Sequence, residues 1–445
     1  MRCKKGPSYE KQAAGVRVKE KSVNVTYSEE QLDRARDILH AGPLCDECLG
    51  RAFARVGRGL TNSDRGQALR AALPGLGKTG VCWVCGDLFA QAERWAECAA
   101  RQASELEFAT YLFGVRLPAR IEEMEVFFGQ RFPGKEGESL KHAFNRVVGK
   151  AFEARLQRPA TVAFVGPDLS FVVDLAADHL ALHVASVFVY GRYRKLTRGI
   201  PQTKWPCRRC RGRGCVCCGF TGKQYPESVE EWIGTPLVEA AKAETVHLHG
   251  AGREDIDARM LGHGRPFVLE IVTPQGRTLE LKALRETINT NAAGRVEVSE
   301  LAFASRETVV HLKEERSAKR YRAWVEFDRP VTAQQLDQAL GDLCGKIEQR
   351  TPIRVSHRRA DKVRIRQLLD ASGHVVGPRK ATIELEGEGG LYIKELVSGD
   401  EGRTNPSLSG LLRMGAVVRA LDVLEVRLDM PMERTDAVDK ARTLP

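Results

Sequence analysis

The sequence predicts an α/β protein of the α+β kind, with two or three domains and metal-stapled segments among them. Three observations carry that expectation. Helical and strand-like periodicities alternate along most of the chain. Its 445 residues suffice for more than one core. Its cysteines come mainly as closely spaced pairs. With 42% hydrophobic and 29% charged residues the composition is that of a soluble globular protein. An excess of 69 Lys and Arg over 58 Asp and Glu gives a net charge of +11 and a pI near 9.1. That balance favours a polyanionic partner, nucleic acid before a membrane surface, without choosing RNA or DNA. No apolar run approaches the ~20 residues that span a bilayer, and the N-terminus lacks the apolar core of a signal peptide. The expected location is the cytoplasm, where thiols stay reduced, so the twelve cysteines suit metal better than disulfides.

Residues 1–27 are expected to form a flexible basic tail, since the first 21 carry seven basic and two acidic side chains. Ser28-Glu29-Glu30-Gln31 is a capping box, and Leu32, Ala35, Ile38 and Leu39 recur on one helical face until Gly42-Pro43 stops the helix. Cys45-x-x-Cys48 follows at once, and Cys82-x-x-Cys85 comes after 33 intervening residues with a helical filler at Arg65 to Ala72. Four thiolates in two tight turns suit tetrahedral structural zinc and leave no open position for catalysis. Cys98 and Cys344 read as small buried residues, and Cys3 as part of the tail.

Between about 100 and 200 the expected elements are a strand at Phe108 to Val115 and a helix from Ser139 through Leu156. Paired strands at Ala160 to Val165 and Leu169 to Leu175 follow, then another at Leu182 to Tyr190. This last one runs into a basic, aromatic stretch, Tyr190-Gly-Arg192-Tyr193-Arg194-Lys195, where Tyr193 can stack on an unpaired base while Arg194 takes a phosphate. Helix, strands and the run Gly191 to Gln202 together resemble a THUMP domain, an RNA-binding module of several RNA-modifying enzymes.

A second cysteine group, Cys207-x-x-Cys210 and Cys215 with Cys217 or Cys218, has Gly212 and Gly214 to reverse the chain between thiolates. Cys207, Cys210, Cys215 and Cys218 are the preferred ligands, with Cys217 as alternative. Arg208, Arg209, Arg211 and Arg213 decorate this knuckle as a phosphate clamp. Beyond it, a helix capped by Ser228, a strand at Thr245 to His249 and the segment His249 to Arg259 are expected. That segment sets Asp255 and Asp257 between arginines, with Gly250 and Gly252 before them and Gly262 and Gly264 after. It reads as an active-site loop; taken alone, its composition also suits a solvated turn. Further strands are expected at Pro266 to Val272, Val309 to Lys313 and Tyr321 to Phe327, a mobile loop at Leu281 to Val298, and a helix from Thr332 to Ile347. The run Arg350 to Arg366 carries seven cations, among them Arg354, Arg358, Arg359 and Lys362, and suggests a strand with one RNA-facing side.

Gly252-Arg253-Glu254-Asp255 matches the G-R-x-D signature of pseudouridine synthases, and the run through Phe267 resembles the archaeal-type tRNA pseudouridine synthases that act on uridines 54 and 55 of the T arm. Lys319-Arg320-Tyr321-Arg322-Ala323 resembles the family's segment with the active-site tyrosine. Gly390-Leu391-Tyr392-Ile393-Lys394 resembles the one whose basic residue pairs with the catalytic aspartate. Leu421 falls where the family has an apolar residue under the uracil.

The resemblance implies a mixed, mostly antiparallel sheet around a central cleft, and uridine isomerisation in tRNA after base flipping. It casts Asp255 as nucleophile or as base for a ribose proton, Lys394 as its ion pair, Tyr321 as the ring stacked on uracil and Leu421 as the pocket floor. Arg253 would fill the vacated stack, and Asp257, the rival to Asp255, would hold Arg253 or Arg259. The implied organisation is a tail at 1–27, a zinc module at 28–100, a THUMP-like domain at 101–203, a zinc knuckle at 204–222 and a catalytic domain at 223–445. Structural Zn2+ is the expected cofactor, with no organic cofactor, no membrane and no obligatory protein partner beside tRNA. The competing readings are a non-catalytic zinc-containing tRNA-binding protein or chaperone, and a THUMP-containing RNA methyltransferase; against the latter, no glycine-rich nucleotide loop follows a strand.

Overall fold

The structure, a computed structural model, describes residues 25–314 and 317–428. All but the last three residues of the expected tail, Cys3 included, lie outside them. Among the described residues no helix is long and apolar enough to cross a membrane. The chain divides into two compact units, with the boundary between Ala185 and Ser186.

The first unit contains α1 (Glu29–Ala41), α2 (Asp46–Arg51), α3 (Asn62–Ala72) and α4 (Ala92–Ala103), then β1 (Thr110–Arg116), α5 (Ala119–Arg131) and α6 (Leu140–Glu153). It closes with β2 (Thr161–Val162), β3 (Leu169–Asp174) and β4 (His179–Val184). The capping box at Ser28 forms as expected, with Gln31 answering the backbone of Ser28. Strand order is β2-β1-β3-β4. The two strands expected to pair with each other instead flank β1, both parallel to it. A single apolar core runs from Ala35 to Leu180 and includes Cys48, Cys82 and Cys85, so the cysteine module and the strands that follow share one interior.

The second unit holds β5 (Val187–Lys195), α7 (Val229–Ala241), β6 (Thr245–Gly250), β7 (Ala258–Val272), α8 (Leu281–Ala292), β8 (Val296–Ala304), α9 (Arg306–Glu314) and β9 (Lys319–Phe327). After these come α10 (Ala333–Leu343), β10 (Gly345–Arg350), β11 (Val363–Gly377), β12 (Lys380–Gly387), α11 (Ile393–Ser398), β13 (Thr404–Asn405), α12 (Leu408–Leu412) and β14 (Ala416–Val426). Its sheet runs β13-β10-β11-β12-β9-β14-β7-β5-β8, with β6 also on β7. Every pairing in it is antiparallel except β14 with β7. The mixed, mostly antiparallel architecture is therefore present.

Several expectations differ. The strand read as Leu182 to Tyr190 is two strands, because the chain changes sheets at Ala185-Ser186. β5, and with it the basic aromatic run expected in a domain reaching residue 203, pairs with β7 and β8 of the second unit. Leu281 to Val298 is a helix and the start of a strand rather than a mobile loop: Ile288 and Ala292 are buried, and the Asn289 side chain grips the backbone of Val298 at 2.7 and 2.9 Å. Val309 to Lys313 is helical, burying Val309 and Leu312 three residues apart, a spacing that the adjacent β-branched pair obscured. The helix expected to reach Ile347 ends at Leu343, and Ile347 lies in β10; Cys344, after the helix, is exposed rather than buried. Gly262 and Gly264 belong to β7, with positive φ; a Cβ there would meet Leu424 O at 2.0 Å and Tyr193 O at 2.7 Å, so they permit close approach of neighbouring strands.

Candidate active site

The acidic segment leaves β6 at Gly250 and enters β7 at Ala258, so it is a short loop bridging two paired strands. Its inner side rests on buried polar groups. Glu254 is 5% exposed; its carboxylate accepts from Tyr193 Oη at 2.9 Å and Arg265 Nε at 2.8 Å. Arg265 also donates to Ala251 O at 2.6 Å, and Gln202 Nε2 to Gly252 O at 3.1 Å. Lys195, fully buried, directs its ammonium to Ile200 O, Asp255 O and Ile256 O at 2.8, 3.1 and 3.3 Å. Burial lowers the Lys195 pKa to about 8, with Glu254 opposing that fall. Backbone oxygens that a solvated turn would offer to water are thus held from beneath by side chains.

The sequence reading missed this network, although one signal for it was available. In β5, Val187, Val189, Gly191, Tyr193 and Lys195 alternate onto the buried face while Arg192 and Arg194 point away. Tyr193 is fully buried and hydrogen-bonded, so its expected role of stacking on a base is corrected: it anchors the loop from inside. Arg194 points outward and pairs with Glu297.

Above this support, Asp255 meets two cations. Arg354 Nη1 lies 3.2 Å from Oδ1, and Lys394 Nζ lies 3.3 Å from Oδ2. Burial opposes ionisation of Asp255, but Arg354 and Lys394 outweigh it and hold the carboxyl below its usual range. Lys394 also reaches both oxygens of Asp257, at 2.9 and 2.8 Å, so it bridges the two acids. Asp257 was expected to hold Arg253 or Arg259. Arg259 instead pairs with buried Asp422, and Arg253 lies over the Trp205 ring with Nη2 3.4 Å from Thr203 Oγ1. Arg354, expected to bind RNA, is fixed by Glu395, whose Oε1 accepts from its Nε at 2.6 Å. Glu395 is 4% exposed and was not anticipated as part of the site.

Tyr321 and Leu421 come from neighbouring strands, β9 and β14, where Val423 stands opposite Tyr321 and Leu421 opposite Ala323. Arg198 ties Leu421 O to Asp257 O, at 2.6 and 2.8 Å. Arg253, Asp255, Asp257, Tyr321, Lys394 and Leu421 open onto one cavity of about 620 Å³, which Lys319, Arg354 and Arg359 also line. Burial pushes the Tyr321 hydroxyl up to about 12, so it stays protonated at neutral pH. An ionised carboxylate, a protonated phenol and an apolar floor around one volume are able to bind a planar base and support acid–base or nucleophilic chemistry on its sugar.

The remaining RNA-binding candidates scatter. Arg359 borders the cavity and donates to Tyr392 Oη at 2.7 Å. Lys362 is exposed beside it in sequence, before β11, and the side chain of Arg358 lies outside the described residues. In β11, Arg364 and Arg366 line the cavity, whereas Val363 and Ile365 are exposed, as the alternation suggests. Arg208 and Arg209 are exposed on the knuckle and do not line the cavity.

Two sets of four cysteines can hold a metal ion: Cys45, Cys48, Cys82 and Cys85, and Cys207, Cys210, Cys215 and Cys218. Within each set the Sγ atoms lie within 4.8 Å of one another. Thiolates about 2.3 Å from a tetrahedral ion stand about 3.8 Å apart. The separations of 3.6 Å for Cys45–Cys85 and of 4.0, 3.9 and 3.7 Å for Cys207–Cys215, Cys210–Cys218 and Cys215–Cys218 fit that spacing. Cys217 is exposed and accepts from Arg209 instead, which decides between it and Cys218.

The family described as Pus10, C-terminal, matches residues 188–427, and the one described as Pus10 THUMP domain, archaeal, matches residues 95–174. The tRNA pseudouridine synthase Pus10 of Halorubrum lacusprofundi is 47% identical over 422 residues, covering 91% of this chain and 98% of that protein. The protein of the same name from Methanothrix thermoacetophila is 44% identical over 423 residues, 87% and 93% of the two chains. That from Pyrococcus furiosus is 38% identical over 413 residues, 90% and 98%.

Proposed function

The chain belongs to the tRNA pseudouridine synthase Pus10 family, and from that premise we propose that it isomerises uridines 54 and 55 of the tRNA T arm, with Asp255 as the group that does the chemistry. Family membership displaces the chaperone and methyltransferase readings. The observation that carries the residue assignment is the meeting of Asp255, Lys394, Tyr321 and Leu421, drawn from four segments up to 166 positions apart, on one cavity.

A target uridine leaves its stack, and Arg253 at the cavity edge takes the vacated place. Tyr321 stacks on the uracil and Leu421 floors it. The Asp255 carboxylate then adds to C1′ or takes the C2′ proton, and the C1′–N1 bond breaks with its electron pair leaving on the base. After the uracil turns, C5 bonds to C1′ as the Asp255–C1′ bond breaks or, on the other route, as the C2′ proton returns; the C5 proton then departs to water while N1 takes one up. Substrate and product have the same atoms, so the reaction consumes no co-reactant. Arg354 and Lys394 keep Asp255 ionised for the first step. The two cysteine sets suit structural Zn2+, the metal that all-thiolate tetrahedral sites favour.

Glu395 is a positioning residue in this scheme. Glu395→Gln removes the charge that pins Arg354, so Asp255 loses part of the attraction that lowers its pKa. Turnover is expected to fall about tenfold, and the acid limb of the kcat–pH profile to move to higher pH, because the active carboxylate is then protonated sooner as pH falls. Steady-state kinetics from pH 4 to 8 check this; an unmoved acid limb contradicts the role.

The assigned uridines are tested by treating an unmodified tRNA transcript with the enzyme and no added cofactor, then mapping pseudouridine along the RNA. Pseudouridine at 54 and 55 supports the proposal. Product confined to another arm overturns the T-arm assignment.

A further inference from the structure

The cations lining the cavity are nearly all committed to protein groups. Arg265 serves Glu254 and Ala251, Arg354 serves Asp255 and Glu395, and Lys394 serves the two aspartates. Arg359, Arg364 and Arg366 donate to Tyr392 Oη, Thr351 Oγ1 and Gly389 O. Lys319 is different. It opens onto the same cavity, yet among the described residues its ammonium group makes no ion pair or hydrogen bond. Burial lowers its pKa to about 8, and the one charge acting on it, Arg265, pushes the same way. An ammonium group kept in such surroundings costs stability unless something it binds compensates.

Its position says what that is. Lys319 and Tyr321 are two residues apart on β9 and share the inward face, while Arg320 and Arg322 on the other face pair with Glu384. A separation of about 7 Å along the strand places a Lys319 head group near the edge of a ring stacked on Tyr321. The ammonium also packs against the acidic loop: a Cβ built on Gly252, where φ is +83°, would stand 2.8 Å from Nζ. Lys319 is thus held between the proposed base-stacking tyrosine and the loop that carries Asp255.

We infer that Lys319 stabilises the departing uracil. When C1′–N1 breaks, the bonding pair stays on the base as an anion delocalised over N1 and the two carbonyl oxygens. The Lys319 ammonium donates a hydrogen bond to one of those oxygens without transferring its proton, and the charge is relieved when C5 bonds to C1′. A preorganised donor in a partly desolvated site acts most strongly where charge develops during the reaction. The inference rests on the proposed reading of the cavity as the place where Asp255 acts on uridine.

The experiment is single-turnover release of tritium from a tRNA transcript labelled at uridine C5, with saturating full-length enzyme, alongside tRNA affinity by filter binding. Wild type and Asp255→Asn run in parallel: wild-type release that disappears in Asp255→Asn establishes the cavity, and undiminished release in Asp255→Asn removes that reading whatever Lys319 does. Given the cavity, Lys319→Met is expected to lower the saturated rate on the order of 10²-fold or more, with Kd within about twofold of wild type. A rate equal to wild type overturns the inference. So does a loss seen only as weaker binding, which would make Lys319 an anchor for a backbone phosphate. Should Lys319→Met fail to fold, Lys319→Gln and Lys319→Arg replace it: a rate for the arginine variant well above that of the glutamine variant supports a role for the charge, and equal rates overturn it.

Discussion

Asp255→Asn is expected to abolish pseudouridine formation, by at least about 10⁴-fold, while Asp257→Asn keeps turnover within about tenfold of wild type. The two acids sit in one loop and share Lys394, which is nearer to Asp257, so proximity to that lysine does not choose between them. Surroundings do. The Asp255 side chain is 34% exposed and has Arg354 as a second cation; that of Asp257 is 65% exposed and has Lys394. Arg354 is itself fixed by buried Glu395, so one of the two partners of Asp255 is braced from behind. A rigid, partly desolvated carboxylate kept ionised by two cations is the better placed nucleophile or base, because less water competes for its lone pairs and its orientation is set before substrate arrives. Asparagine at 255 keeps the shape but removes the charge and the basic oxygen. At 257 it frees Lys394 to attend to Asp255 alone. Initial rates of both variants on one tRNA transcript check the pair; a dead Asp257→Asn beside an active Asp255→Asn would reverse the assignment.

The second large effect concerns folding. Cys48→Ser is expected to remove one of the two proposed zinc equivalents and to unfold the first unit, at a cost on the order of 10 kcal/mol in metal-linked stability. Cys48, Cys82 and Cys85 are at most 1% exposed and lie within the apolar core of that unit. Loss of the ion leaves thiols crowded there with no other polar partner of comparable strength. The second set stands differently: Val216 and Phe220 beside it are 81% and 73% exposed, and Pro206 and Lys223 close it through a lone β-bridge. Cys215→Ser should therefore remove the other equivalent while leaving the main melting transitions close to wild type. Metal analysis with thermal melts of each variant tests both statements; fewer than two equivalents in wild type, or a Cys48→Ser protein that melts normally, contradicts them.

Features set by local rules were readable in the chain. Ser28 with Gln31 announces a helix start, and paired C-x-x-C turns announce thiol clusters spaced to hold a metal ion. The buried face of β5 was also within reach, since period-two alternation places Tyr193 and Lys195 with Val187 and Val189. The basic, aromatic composition of that stretch concealed it. Partners distant in sequence were not legible from the residues themselves: Arg354 and Asp255 are 99 positions apart, and Glu395 reaches Arg354 from beyond β11 and β12 in the chain. Motif resemblance supplied Asp255, Tyr321, Lys394 and Leu421. It did not supply Arg354, Glu395 or Lys319, whose importance lies in what they touch or fail to touch once the sheet is assembled.

The most direct measurement is a crystal structure of the Asp255→Asn enzyme bound to tRNA. A flipped uridine is expected in the cavity, its ring on Tyr321 above Leu421 and its C1′ or C2′ within about 3.5 Å of the residue 255 side chain. A flipped uridine whose sugar lies against Asp257 instead, or one bound outside this cavity, would contradict this expectation.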